Sequence, residues 1–255
     1  MSTLRRTARA TALAALVTPL VLSAQAADTA KKHYEFSGNV GFSQTGGNAD
    51  LVALNAGNKY KYVRNGWTFL QDLQSFYGEA DERVNANFWN GGVRGERAIT
   101  SRMGLFLATR FDRNVLQGIS RRFEEGFGLS IKAVERPRDI LGLTVGASVL
   151  QTTFLSTVNV ANIPRNFPAA RVGADYKHLF SKIAYFQQIL ELLPNLENSE
   201  ALLANSESAI VAPISTNIGL KLGYVMRYNG LPPVRNGRSL RKTDTFFSSG
   251  LTFSY

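Results

Sequence analysis

The chain of 255 residues contains no cysteine. That absence excludes a disulfide framework and a thiolate metal site. Histidine is almost as scarce, with only His33 and His178. A Ser–His hydrolytic pair or an imidazole metal site therefore has very little to draw on. No G-x-S-x-G elbow, P-loop or H-E-x-x-H sequence occurs, and Gly41-Phe42-Ser43-Gln44-Thr45 lacks the elbow's final glycine. The acidic residues do not follow EF-hand spacing. Charged residues make up 19% of the chain and hydrophobic ones 44%, a balance outside the disordered class. No run of 18 apolar residues occurs, so no transmembrane helix is expected.

The N-terminus has a distinct pattern. Met1 to Arg9 is basic, Leu13 to Leu22 is apolar, and Ala24-Gln25-Ala26 has the small-x-small form of a cleavage site. This order predicts an export signal peptide over residues 1–26, cleaved to leave a mature chain of 27–255. Its apolar core falls short of the ~20 residues needed to cross a bilayer as a helix. Removing Arg5, Arg6 and Arg9 from the formal charge of +10 leaves 10 − 3 = +7 for the mature chain.

The mature chain alternates between apolar and polar residues in segments of about ten, with turn residues between them. Met103, Leu105, Leu107, Thr109 and Phe111 share one face of a strand, opposite Gly104, Phe106, Ala108, Arg110 and Asp112. Ile218 to Tyr228 repeats the pattern, as do 34–43, 52–62, 123–134 and 141–151. Short connections are expected at Arg64-Asn65-Gly66, 99–102, 136–139, 178–182 and 213–216. Longer ones fall at 45–50, 79–85, 114–120, 156–166, 194–200 and 229–243. Short and long connections take turns, as in a transmembrane barrel with short periplasmic turns and long extracellular loops. Six long and five short connections imply an all-β, antiparallel, up-and-down barrel of about twelve strands, with both termini in the periplasm. Both histidines then fall at periplasmic strand ends.

Residues 176–193 also fit helical spacing, through Phe180, Ile183, Ala184, Gln187, Leu190 and Leu193. A strand is expected there, because a helix would leave an odd strand count. Polar residues interrupt the apolar row in 67–77, 176–193 and 201–214, so the faces are open there. Aromatics gather near strand ends, with Tyr60, Tyr62 and Trp67 at one level and Tyr77, Phe88, Trp89, Phe111 and Phe154 at the other. Two interfacial girdles would have this distribution. A soluble β-sandwich also alternates and is the alternative fold.

The last residues, Ser248-Ser249-Gly250-Leu251-Thr252-Phe253-Ser254-Tyr255, resemble the C-terminal assembly signal of outer-membrane barrels at Ser248, Gly250, Phe253 and Tyr255. Such a signal offers a strand edge to the barrel assembly machinery. Ser37-Gly38-Asn39-Val40-Gly41-Phe42-Ser43 with Thr45-Gly46-Gly47-Asn48, and Tyr228-Asn229-Gly230-Leu231-Pro232-Pro233 with Lys242-Thr243-Asp244-Thr245, resemble the YdiY-like salt-induced outer-membrane proteins. The resemblance implies an outer-membrane barrel with a link to salt stress. It implies no established biochemical role, and the residues suggest no cofactor.

The apolar rows leave an inward set whose signs nearly balance. Its basic members are Lys59, Lys61, Arg94, Arg110, Lys132, Arg171, Lys221 and Arg227. Its acidic members are Glu35, Asp72, Glu96, Asp112, Glu124, Asp175 and Asp244. Such a lumen can be a polar channel or a space filled by ion pairs. The basic surplus falls in the connections. Arg235, Arg238, Arg241 and Lys242 occupy the last loop, with Arg83, Arg113, Arg121, Arg122 and Arg165 on the same side. These arginines suit the phosphates of lipopolysaccharide. Their spread over loops, and the expected export, argue against nucleic acid. The functional expectation is a non-enzymatic barrel serving envelope permeability or the osmotic and salt-stress response. The alternatives are a channel for small solutes, anionic ones included, and a membrane-embedded hydrolase.

Overall fold

The computed structural model describes residues 33–46, 51–80, 83–181 and 184–254. The expected signal peptide and Tyr255 lie outside the described residues. Eleven strands follow one another: β1 (Tyr34–Gly46), β2 (Leu51–Arg64), β3 (Trp67–Ala80), β4 (Arg83–Ala98), β5 (Met103–Asn114), β6 (Ile119–Glu135), β7 (Asp139–Phe154), β8 (Asn166–Leu179), β9 (Tyr185–Pro194), β10 (Leu202–Pro213) and β11 (Ile218–Asn229). A two-residue pair, β12 (Val234–Arg235) and β13 (Arg238–Ser239), decorates the last loop before β14 (Thr243–Ser254).

Each long strand pairs antiparallel with the next, and β14 returns to β1, so twelve strands close into a barrel. Closure removes every sheet edge, which sets this fold apart from the sandwich alternative. The segment 176–193 is strand on both sides of its turn, as the strand count required. The alternation explains why: with period two, Phe186, Gln188, Leu190 and Leu192 share one face of β9.

The faces are inverted relative to a water-soluble protein. Large apolar side chains point outward and are exposed, among them Phe42, Leu54, Phe69, Leu107 (71% exposed), Phe127, Val145 and Leu222. Charged residues point inward and are buried, among them Asp112, Glu124, Arg171 and Asp244. Water would not support that arrangement, but a hydrocarbon surround does. Some of the polar side chains that face outward bond to one another. Gln71 donates to Asn58 at 2.9 Å. Gln188 donates to Ser206 at 3.0 Å and accepts from Ser208 at 2.5 Å. Such pairing offsets the desolvation of each group.

Turn chemistry sets the hairpins. Asn65 and Gly66 have φ of 51° and 76°, the left-handed pair that matches the twist of two adjoining strands. The closing seam depends on small residues. Gly41 faces Gly250 across β1 and β14, and a Cβ on Gly41 would stand 2.0 Å from the Ser249 carbonyl oxygen. A Cβ on Gly250 would stand 2.2 Å from the Val40 oxygen. Gly250→Val is therefore expected to cost about 1–3 kcal/mol of strain and to reduce the compact, fast-migrating form seen in unboiled gel samples. Leu251→Val, at an outward position on the same strand, should leave that form intact.

Candidate functional site

The interior of the barrel gathers the chemistry. Register places Lys59, Asp72, Arg94, Glu96, Arg110, Asp112, Glu124, Arg171, Asp175, Lys221, Arg227 and Asp244 on inward positions. Lys61 and Glu35 pair at 3.0 Å near the short-turn end, where both are well exposed. Lys132 has inward parity but sits at the short-turn rim, 60% exposed, and meets Glu135 of its own strand at 3.8 Å. Asp175 is exposed and accepts a hydrogen bond from Gln187 at 2.8 Å. Asp244 is fully buried, opposite Arg227 in register.

The inward charges meet across the bore. Arg171 is the hub: it reaches Glu124 at 2.5 Å and also bonds Glu191. Arg110 extends this chain to Glu191 at 3.8 Å and to Asp72 at 3.9 Å. Ser148 donates to Glu124 at 2.9 Å, and Asn205 donates to Glu191 at 3.3 Å. Arg227 of β11 meets Asp112 of β5 at 3.3 Å. These two strands are separated by five others either way round the ring, so this bridge spans the full width of the barrel. The Arg227 guanidinium also lies 4.2 Å from the Phe88 ring centre, and Arg94 lies 3.9 Å from that of Phe106. Lys221 and Glu207 add a further pair at 3.6 Å.

Glu191, Glu207, Lys177 and Arg122 are absent from the inward set that the sequence pattern predicts. Glu191 and Glu207 lie in the two stretches where Gln188, Ser206 and Ser208 interrupt the apolar row. Arg122 is expected in a loop, but a bulge beside Ser120 extends β6, and Arg122 points inward to donate to Thr152 at 3.0 Å. Phe88 is also corrected: it belongs to no outer girdle, being 4% exposed and packed inside with Phe76, Leu116 and Phe246.

At the long-loop end three connections contact one another and the inner wall. Leu116, from the β5–β6 loop, completes the inner Phe76–Phe88–Phe246 cluster. Asn159 and Val234 exchange backbone hydrogen bonds of 2.7 and 2.9 Å between the β7–β8 loop and the last loop. Arg235 donates to the Val115 carbonyl at 2.9 Å. Arg235 thus ties the last loop to the β5–β6 loop. Arg238, Arg241 and Lys242 are exposed. At the opposite end, Gly250 and Phe253 pair with Gly41 and Gly38 along the seam. His178 lies at the short-turn end of β8 with Nδ1 2.8 Å from Asp139, which also accepts from Tyr176 at 2.8 Å. His33 contacts the Val63 carbonyl at 3.1 Å. Among the described residues, no grouping of His, Asp and Glu fits a metal ion.

A family model matches residues 38–255. The chain belongs to the DUF481 family, described as proteins of unknown function. No curated protein matches it in sequence, so no named relative stands beside the narrower YdiY-like resemblance. Among solved structures, the barrel is similar to the NanC porin, with a TM-score of 0.54 and 12% identity, covering 86% of this chain and 98% of that one. A porin described in complex with disordered oligogalacturonate scores 0.45 at 7% identity, covering 85% and 99%. An anion-selective porin from Comamonas acidovorans scores 0.43 at 9%, covering 87% and 99%. For this DUF481 member, the first of these similarities establishes the fold alone.

Arg171 is 10% exposed, and its two carboxylate partners are 7% and 13% exposed. Removing it leaves buried Glu124 with only the Ser148 hydroxyl among the described residues, and Glu191 with the more distant Arg110. Arg171→Ala is expected to cost about 3–5 kcal/mol, read as a lower temperature for conversion of the compact to the extended gel form. Lys61→Ala, at the open rim, should cost under about 1 kcal/mol in the same assay.

Proposed function

We propose that this DUF481 protein is a non-enzymatic pore of low conductance in the outer membrane of a Gram-negative bacterium. Its short turns face the periplasm and its long loops face outward. The inverted faces and the closed sheet support a membrane location. The likeness in fold to a protein named a porin supports the pore class. The observation that carries the reading is the Arg227–Asp112 bridge between opposite walls, with Arg110–Glu191 beside it. Side chains that join across the bore limit what can pass to small solutes. Neither sign dominates the inner wall, so strong selectivity for anions is not expected. Participation in osmotic or salt stress rests on the YdiY-like resemblance alone, and growth of a deletion strain at raised salt would test it.

Planar-bilayer recording tests the pore. Wild-type protein should give small unitary steps. The double variant Asp112→Ala with Arg227→Ala removes both partners of the widest bridge, and should raise the step size roughly twofold or more. Silence from both proteins would show a filled barrel with no conducting path.

A further inference from the structure

The outward face of β5 and β6 carries a second charged feature, distinct from the lumen. Trp89, Phe111 and Phe123 lie on outward positions and pack in sequence, the first pair tilted and the second edge to face, with ring centres 4.6 and 5.0 Å apart. Beneath them come Leu107 and Phe127, exposed apolar side chains of the hydrocarbon-facing band. Above them, toward the long loops, come Arg113 and Arg121. Arg113 pairs in register with outward Trp89 of β4, and Arg121 with outward Thr153 of β7. An aromatic cluster on a barrel's outer wall marks the interface, where hydrocarbon gives way to headgroups. Two arginines one step beyond it stand at headgroup height.

The backbone is irregular at this level of the wall. One extra residue on β6, near Ser120 and opposite Arg113, shifts the register with both neighbouring strands, and bulges of this kind re-aim side chains at functional places. Both guanidinium groups are also held. Arg113 Nη1 donates to the Ser120 carbonyl at 3.4 Å, and Arg121 Nε donates to Thr153 Oγ1 at 3.2 Å. Each contact uses one of five donors, leaving the rest of a planar fork for a ligand. Glu125, the acid next in the outward row of β6, lies four residues deeper than Arg121, with outward Phe123 between them.

We propose that Arg113 and Arg121 form a binding site for the phosphate of an outer-leaflet glycolipid, whose acyl chains lie along Trp89, Phe111, Phe123 and Phe127. The site rests on the outer-membrane reading above, because only that location offers a phosphorylated glycolipid at this height. Charge complementarity selects phosphate, and the adjoining aromatic wall selects a ligand with acyl chains over free phosphate.

Native mass spectrometry of detergent-purified protein, titrated with bisphosphorylated lipid A, tests the site. Wild type should retain the lipid. Arg113→Gln with Arg121→Gln should weaken retention about tenfold or more, the loss expected for one or more charge-assisted hydrogen bonds. Arg136→Gln with Arg138→Gln, at the opposite rim, should leave it unchanged. Lipid A stripped of both phosphates should bind wild type no better than the intact lipid binds the Arg113/Arg121 variant. The compact unboiled gel form confirms that every variant is folded, so loss of the barrel is read separately from loss of the site. Equal retention of phosphorylated and stripped lipid by wild type overturns the proposal, as does equal retention by wild type and variant. Equal competition by phosphatidylglycerol would show a general phospholipid contact and overturn the commitment to a glycolipid.

Discussion

Inside hydrocarbon, a peptide group has no water to bond, so each amide and carbonyl must find its partner in the protein. For a sheet, this forces closure. Here the requirement falls on one seam, where β14 lies against β1. The seam admits the close approach of its two backbones only because Gly41 and Gly250 have no side chains to separate them. Closure then fixes the rest: an outward row that must be apolar, and an inward row shielded from lipid and free to be charged.

The inward row uses that freedom in a particular way. Several opposite charges stand on different strands and meet in the bore, so the walls are tied together through the lumen as well as around it. Arg171 joins β8 to β6 and β9, and Arg227 joins β11 to β5. A bridge that holds opposite walls also obstructs the passage between them, so stability and permeability depend on the same groups. The mouth repeats the principle with apolar means, Leu116 packing against Phe76, Phe88 and Phe246.

Period-two alternation makes the barrel legible in the amino-acid sequence. Leu105, Leu107 and Phe111 on one face and Phe106, Arg110 and Asp112 on the other leave little room for another reading of β5. The pattern fails where its chemistry is locally exchanged. Gln188, Ser206 and Ser208 face outward and satisfy one another, so the apolar row vanishes there and gives no inward assignment to Glu191 and Glu207. Phe88 and Trp89 are adjacent aromatics on opposite faces, and residue type alone does not say which one faces lipid. Arg122 is hidden by a bulge, which shifts parity without leaving a mark in composition. The bridges across the bore are illegible for a deeper reason. Alternation assigns a side chain to the interior, but which opposite wall it meets depends on the closed curvature of the whole sheet.

The membrane-closed barrel is tested most directly by separating cell envelopes on a density gradient and washing the outer-membrane fraction with alkaline carbonate, without detergent. The mature chain should remain with the outer membrane through the wash and dissolve only when detergent is added. Recovery of the folded chain in the aqueous wash would contradict a surface that turns its apolar row toward lipid.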